Sequence, residues 1–215
     1  MDFFYEKKRF CITFVIFLIF LLLPNIFSIL TLSYPIWLQF ILSFIIMLLF
    51  LKMYLNDFKE GFADFKAHFI KYIGIVLLFV IIWFILNLAC NYVISAGLNQ
   101  QIPNNGLSEY LFTNHTFYFI ILSFIISPIM ESTFIPMSFH KIINSKYAYY
   151  AICSFAYGIL YVIFSIKNPM QLLYIFSYSI TGFLISYMYD KYKNIMLPIL
   201  FKIMMAVVFL ITFIP

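Results

Sequence analysis

The chain has little charge and few of the residues that punctuate loops. Only 10% of its 215 residues are Asp, Glu, Lys or Arg, and it holds six glycines, three histidines and three cysteines. An ordinary soluble domain carries about 25% charged residues, so this chain lacks the polar surface needed to cover a water-soluble globule. The cysteines, Cys11, Cys90 and Cys153, are odd in number and each sits in an apolar run. No disulfide framework follows, and each reads as a small buried hydrophobe. The histidines His68, His115 and His140 are scattered, and no His-Glu-x-x-His zinc motif is present. Asp57, Asp64 and Asp190 all fall between apolar runs, which leaves no pair of intramembrane aspartates for an aspartyl mechanism. A Gly-x-Ser nucleophile elbow is also missing. We expect no metal, no cofactor and no nucleic-acid partner.

Apolar side chains make up 65% of the chain, with 29 Phe and 17 Tyr, and the mean hydropathy is +1.04. Lipid must therefore be the solvent. A helix needs about 20 mostly apolar residues to cross a bilayer. Runs of that kind predict spans near Phe10–Leu32, Pro35–Leu55, Tyr72–Ser95, Thr116–Phe139, Tyr147–Ile166, Met170–Tyr189 and Ile195–Pro215. The fold class expected is all-α, a polytopic transmembrane bundle of about seven helices. Glu6, Lys7, Lys8 and Arg9 precede the first run as they would in a signal peptide. The run, however, outlasts signal-peptide length and reaches Pro24, Asn25 and Tyr34 without a small-residue cleavage site, so it reads as a retained span.

Basic residues test this division. Lys7, Lys8 and Arg9, then Lys52, Lys59, Lys66 and Lys71, then Lys141 and Lys146, then Lys191 and Lys193 all fall on one side of the expected topology. Lys167 alone is on the other side, and Lys202 is inside a span. The expected orientation has the N-terminus in the cytoplasm and the C-terminus outside a bacterial plasma membrane. Phe58, Phe62, Phe65 and Phe69 recur at helical spacing, which predicts an amphipathic helix over 57–71 in the membrane interface. One membrane domain is expected, made of an N-terminal two-helix hairpin at 1–55 and, at 56–215, the interfacial helix and a transmembrane core.

Ionisable groups inside spans are expensive, and each is a functional hypothesis. Two stand out, Glu131 in the fourth span and Lys202 in the seventh. At 1.5 Å per residue both lie roughly 10–12 Å below the same surface, so the spacing predicts an intramembrane ion pair. Small residues four apart, Ser154 with Gly158 and Gly182 with Ser186, predict close helix packing.

From about Phe50 onward, roughly three quarters of the chain, the order of segments resembles the CPBP family of intramembrane proteases (CAAX proteases and bacteriocin-processing enzymes, also called the Abi family). An outer loop with Asn104-Asn105-Gly106-Leu107-Ser108-Glu109 comes first. Ser127-Pro128-Ile129-Met130-Glu131 then resembles a Pro-Ile-x-Glu-Glu-x-x-x-Arg segment. Ser154 through Tyr161 resembles Ser-x-x-x-Phe-Gly-x-x-His, and Pro198-Ile199-Leu200-Phe201-Lys202 resembles the run into a final His-x-x-x-Asn. The resemblance implies an intramembrane endopeptidase in which Glu and His activate water. Carried over position by position, only Glu131 survives as a catalytic residue. Ser132 stands at the second Glu position, Pro136 at the Arg, Tyr161 at the first His, Lys202 at the second His and Ala206 at the Asn. Tyr and Lys do not replace a neutral imidazole as ligand or near-neutral base.

The expectation is a CPBP-like pseudoprotease: a scaffold, regulator or bacteriocin-immunity-type protein whose partners are the lipid bilayer and another membrane protein or a peptide. One alternative is an endopeptidase using Glu131 alone. Another is a lipid-binding or transporter-like protein in which the Glu–Lys pair marks a path, although no internal repeat supports it. Phe134, Tyr157, Tyr161 and Phe201 are expected to fill part of the former cavity.

Overall fold

The structure, a computed structural model, describes residues 3–29, 36–98, 111–163 and 169–213. The expected outer-loop motif Asn104–Glu109, as well as Pro103 and Lys167, lies outside the described residues. So do Tyr34 and the side chains of Glu6, Lys7, Pro24 and Asn25. Among the described residues the fold is all-α. The helices are α1 (Phe3–Ile29), α2 (Ile36–Met53), α3 (Leu55–Ala67), α4 (Phe69–Leu98), α5 (Thr116–Ser138), α6 (Lys146–Val162), α7 (Tyr174–Tyr192, entered by a 3-10 turn Pro169–Leu173) and α8 (Met196–Phe213).

A helix stands at each of the seven places where the apolar runs predict one. By length and hydropathy, α4 (Phe69–Gly97), α5 and Pro169–Tyr192 are sufficient to cross a membrane among the described residues. The bent pair Trp37–Met53 and Leu55–Ala67 makes a fourth if it is counted as one span, and Met196–Ile211 is shorter. Leu78, Ile81, Ile85, Leu88 and Val93 of α4 are all more than half exposed, as side chains facing lipid tails would be.

The shortest helix and the most irregular one position the rest. Helix α3 turns 79° away from α2 and lies across the end of the bundle that carries most of the basic residues. It does not float free there. Gly61 and Phe65 are buried, and Asn194 Nδ2 donates to Gly61 O at 3.0 Å and to Asp64 at 2.6 Å. The Asn194 carboxamide oxygen meanwhile accepts from Met196 N at 2.8 Å. One side chain thus caps the start of α8 and clamps α3 to it. A cavity of about 330 Å³ remains between them, lined by Asp57, Glu60, Asp64, Tyr189 and Asn194 among others. On the other flank Arg9 of α1 reaches Asp57 at 3.1 Å, bonds Met53 O and lies 3.9 Å over the Tyr54 ring.

Helix α5 is central and twice widened. Leu122–Ile126 and Phe134–Ser138 are π-helical, and the turns between them, Ser127–Thr133, are α-helical. Proline inside a helix lacks an N–H and crowds the preceding turn. Pro136 sits in the second widened segment, and Tyr149 of α6 donates to its carbonyl oxygen at 2.9 Å. Such π segments are rare and concentrate at functional sites. Phe134, expected as cavity filler, instead turns towards α1 and stacks 4.5 Å from Phe17 and 5.9 Å from Phe10.

The small residues explain the closest helix pair, α6 with α7. A Cβ on Gly158 would meet the Ile175 carbonyl oxygen at 2.5 Å and also strike Ser179 Oγ. A Cβ on Gly182 would meet Tyr157 Cβ at 2.6 Å and Cys153 O at 2.8 Å. Backbone touches side chain across both positions, as small-xxx-small spacing permits.

Candidate functional site

Glu131 occupies the α-helical turn between the two π segments of α5 and is 4% exposed. The core of α5 turns it towards α6 and α8. Tyr157 and Tyr161 are one turn apart on α6, so their rings share a face; they stack at 4.6 Å, and Tyr178 of α7 stacks on Tyr161 at 5.5 Å. Lys202 comes from the middle of α8.

Four side chains meet. Lys202 Nζ lies 2.7 Å from Glu131 Oε2. Tyr157 donates its hydroxyl to the same oxygen at 2.9 Å, and Tyr161 donates to Oε1 at 2.5 Å. Lys202 also donates to the Tyr157 hydroxyl oxygen, lies 3.4 Å from that of Tyr161, and sits 5.0 and 5.3 Å from the two ring centroids. Both carboxylate oxygens therefore accept strong hydrogen bonds, and the ammonium is neutralised where water is excluded. Charge-assisted bonds of this kind are the strong ones, and their completeness offsets the cost of holding two charges in lipid.

The arrangement has chemical consequences. A general base needs a free lone pair facing water, whereas here an ammonium and two phenols occupy three of the carboxylate's roughly four acceptor positions, two on Oε2 and one on Oε1. An alkylammonium has no lone pair to offer a metal. Among the described residues, no group of three His, Cys, Asp or Glu could hold a metal ion.

The other positions singled out in the sequence do not join this cluster. Ser132 is fully buried, and its hydroxyl, like that of Thr133, has no hydrogen-bond partner among the described residues. Pro136 lies one turn further along α5, buried in the second π segment. Ala206 follows Lys202 by one turn on α8 and is half-buried. Phe201 is fully buried beside Lys202 in the sequence. The histidines are elsewhere: His68 is 3.0 Å from Asp64, and His140 is 3.0 Å from Asp190 and 2.6 Å from Lys193.

Sequence reasoning missed the direct role of Tyr157, which was read as a space-filling aromatic. Its spacing of four from Tyr161 was the available signal. It also missed the second ionic centre, where Asp190 gathers Lys193 at 2.7 Å, Lys146 at 3.4 Å and the Tyr150 hydroxyl at 2.6 Å. It missed the Asn194 clamp as well. Outside the spans, Asp64 is held below the ordinary carboxylate range by the hydrogen bond from Tyr72, then by Asn194 and His68.

Residues 113–208 match the family described as Type II CAAX prenyl endopeptidase Rce1-like. The match covers a little under half of the chain, from just before α5 to near the end of α8, and so is narrower than the three quarters expected from the order of segments. No curated protein and no solved structure matches the chain. Glu131, Tyr157, Tyr161 and Lys202 all lie within the matched residues, so the part of this helical membrane protein that is similar to an Rce1-like domain, residues 113–208, contains the whole cluster.

Proposed function

We propose that this chain is a proteolytically inactive Rce1-like membrane protein that acts by binding, as a scaffold, regulator or immunity-type protein. Its partner would be another membrane protein or a peptide, held by the bundle that surrounds the former catalytic centre. One observation carries this reading: the sole motif carboxylate, Glu131, is closed by Lys202, Tyr157 and Tyr161. In a peptidase that carboxylate would have to hold a water against the scissile bond. Lys202 and Tyr161 stand where the family motif has its two histidines, so both groups that would share the proton work are replaced by donors to the acid. The same replacement argues against a lone-carboxylate endopeptidase.

In this reading the protein sits in a bacterial plasma membrane with the N-terminus in the cytoplasm. The gathering of Lys and Arg at one end of the bundle supports that orientation. The test is complementation of a deletion strain with wild type, Glu131→Gln, Lys202→Met and the double variant. A binding protein loses level and function in the single variants and recovers both in the double. If Glu131→Gln abolishes function at normal protein level and the double variant does not restore it, Glu131 does chemistry and the reading fails.

A further inference from the structure

Helix α3 has two faces of opposite character, and the bundle covers only one of them. The inner face carries Phe58, Gly61 and Phe65 against the bundle. Its acidic residues, Asp57, Glu60 and Asp64, line the cavity beside Asn194. Asp57 is already held by Arg9 at 3.1 Å and Lys141 at 3.5 Å, and Asp64 by Tyr72 at 2.7 Å and Asn194. The outer face of α3 runs Leu55, Lys59, Phe62 and Lys66 at helical spacing, and beyond the break at His68 the first turn of α4 adds Ile70 and Lys71; all six are exposed. Phe62 is 58% and Ile70 87% exposed. Among the described residues Lys59, Lys66 and Lys71 meet no carboxylate, although three carboxylates sit on α3.

Position decides what covers this face. α3 is bent 79° from α2 and joined to the 30-residue α4 through His68. A short helix turned away from the apolar helix before it and followed at once by one long enough to cross a membrane suits the headgroup layer. Apolar anchors that alternate with lysines suit that layer: the rings and aliphatic side chains sink to the acyl boundary while the ammonium groups stay among the phosphates. A soluble acidic partner would match the lysines but not the interleaved Phe62 and Ile70.

We propose that the outer face of α3 and the first turn of α4, with Lys59, Lys66 and Lys71 beside Phe62 and Ile70, form a docking surface for an anionic lipid leaflet. The Asn194 clamp ties α3 to the start of α8. The cavity-facing carboxylates are turned away from the phosphates, so attraction is not cancelled on the contact side.

The test uses the full chain reconstituted in equal mixtures of phosphatidylcholine and phosphatidylglycerol, then extracted gently so that the retained lipid can be quantified. A lysine near an anionic surface strengthens association about fivefold. Phosphatidylglycerol should therefore be enriched several-fold over the starting mixture. Lys59→Gln/Lys66→Gln/Lys71→Gln should bring the ratio close to that of the mixture, and the corresponding triple Arg variant should keep the enrichment. The two-charge control Lys8→Gln/Lys191→Gln, on other elements of the same end, should also keep it. No enrichment in wild type, undiminished enrichment in the triple Gln variant, or an equal loss in the control would each overturn the proposal. If wild type is enriched but the triple Arg variant is not, a fold effect rather than charge governs the ratio, and the proposal also fails.

Discussion

Removing Lys202 should cost more than any other single change at the centre of the bundle. The side chains of Glu131 and Lys202 are 5% and 11% exposed, so neither charge can be handed back to water without moving a helix. In Lys202→Met the Glu131 carboxylate keeps its bonds from Tyr157 and Tyr161 but loses its counter-charge. Left ionised, it faces the penalty of a broken buried pair, about 3–5 kcal/mol. The expected loss for Lys202→Met is therefore about 3–5 kcal/mol. Glu131→Gln/Lys202→Met has no charge left to bury, and its amide oxygen still accepts from a tyrosine, so it should be far more stable than Lys202→Met. The assay is thermal unfolding of the full chain in mild detergent, at pH 7, for all members of the cycle. The reasoning is refuted if Lys202→Met unfolds with wild type at pH 7, or if the double variant is no more stable than the worse single one.

Gly158→Ala should destabilise by about 1–3 kcal/mol, because the new methyl meets the Ile175 carbonyl, which belongs to backbone and cannot rotate aside; Gly74→Ala, with open space around its Cβ position, is the matched control, and equal midpoints for the two would count against the packing account. Asn194→Ala should cost about 2 kcal/mol and raise amide exchange in α3 first, since its bonds to Gly61 and Asp64 hold that helix down; uniform exchange across the bundle would contradict the clamp. Asp64 adds a pH dependence of fixed sign. Its folded value lies below the ordinary range of an aspartate, so its stabilisation is complete above that range and is lost as pH falls through the folded value. Asp64→Asn should remove this acid-limb sensitivity of α3 exchange and also speed α3 exchange at neutral pH, where the carboxylate's contribution is complete; a neutral-pH rate equal to wild type would contradict it.

The apolar runs were legible because lipid imposes a length and a composition on any crossing helix. That is why helices stand where Phe10–Leu32 through Ile195–Pro215 predict them. The 79° bend before α3 was half legible: four phenylalanines at helical spacing announced an amphipathic helix, but not that Phe65 would be buried in protein while Phe62 is left outside. That choice depends on where Asn194 and Ile195 lie, more than a hundred residues away in the chain. Equal depth of Glu131 and Lys202 in their spans could be counted from the sequence. The hydroxyls of Tyr157 and Tyr161 could not be assigned to the carboxylate, because their direction depends on the rotation of α6 against α5. The two π segments were invisible for a similar reason: Pro128 and Pro136 mark trouble in a helix but not whether it kinks, breaks or widens.

Sequence alone determined that this protein lives in lipid, is helical, places its basic residues between alternate apolar runs, and carries one carboxylate, Glu131, within such a run. These are local properties: hydropathy, period and residue identity need no neighbour to be read. Tertiary structure decided which groups answer that carboxylate, which way Phe134 turns, and which face of α3 is left to the surroundings. Each of these depends on the relative rotation of packed helices, and that rotation is fixed by contacts such as Gly158 on Ile175 and Gly182 on Tyr157 between residues far apart in the chain.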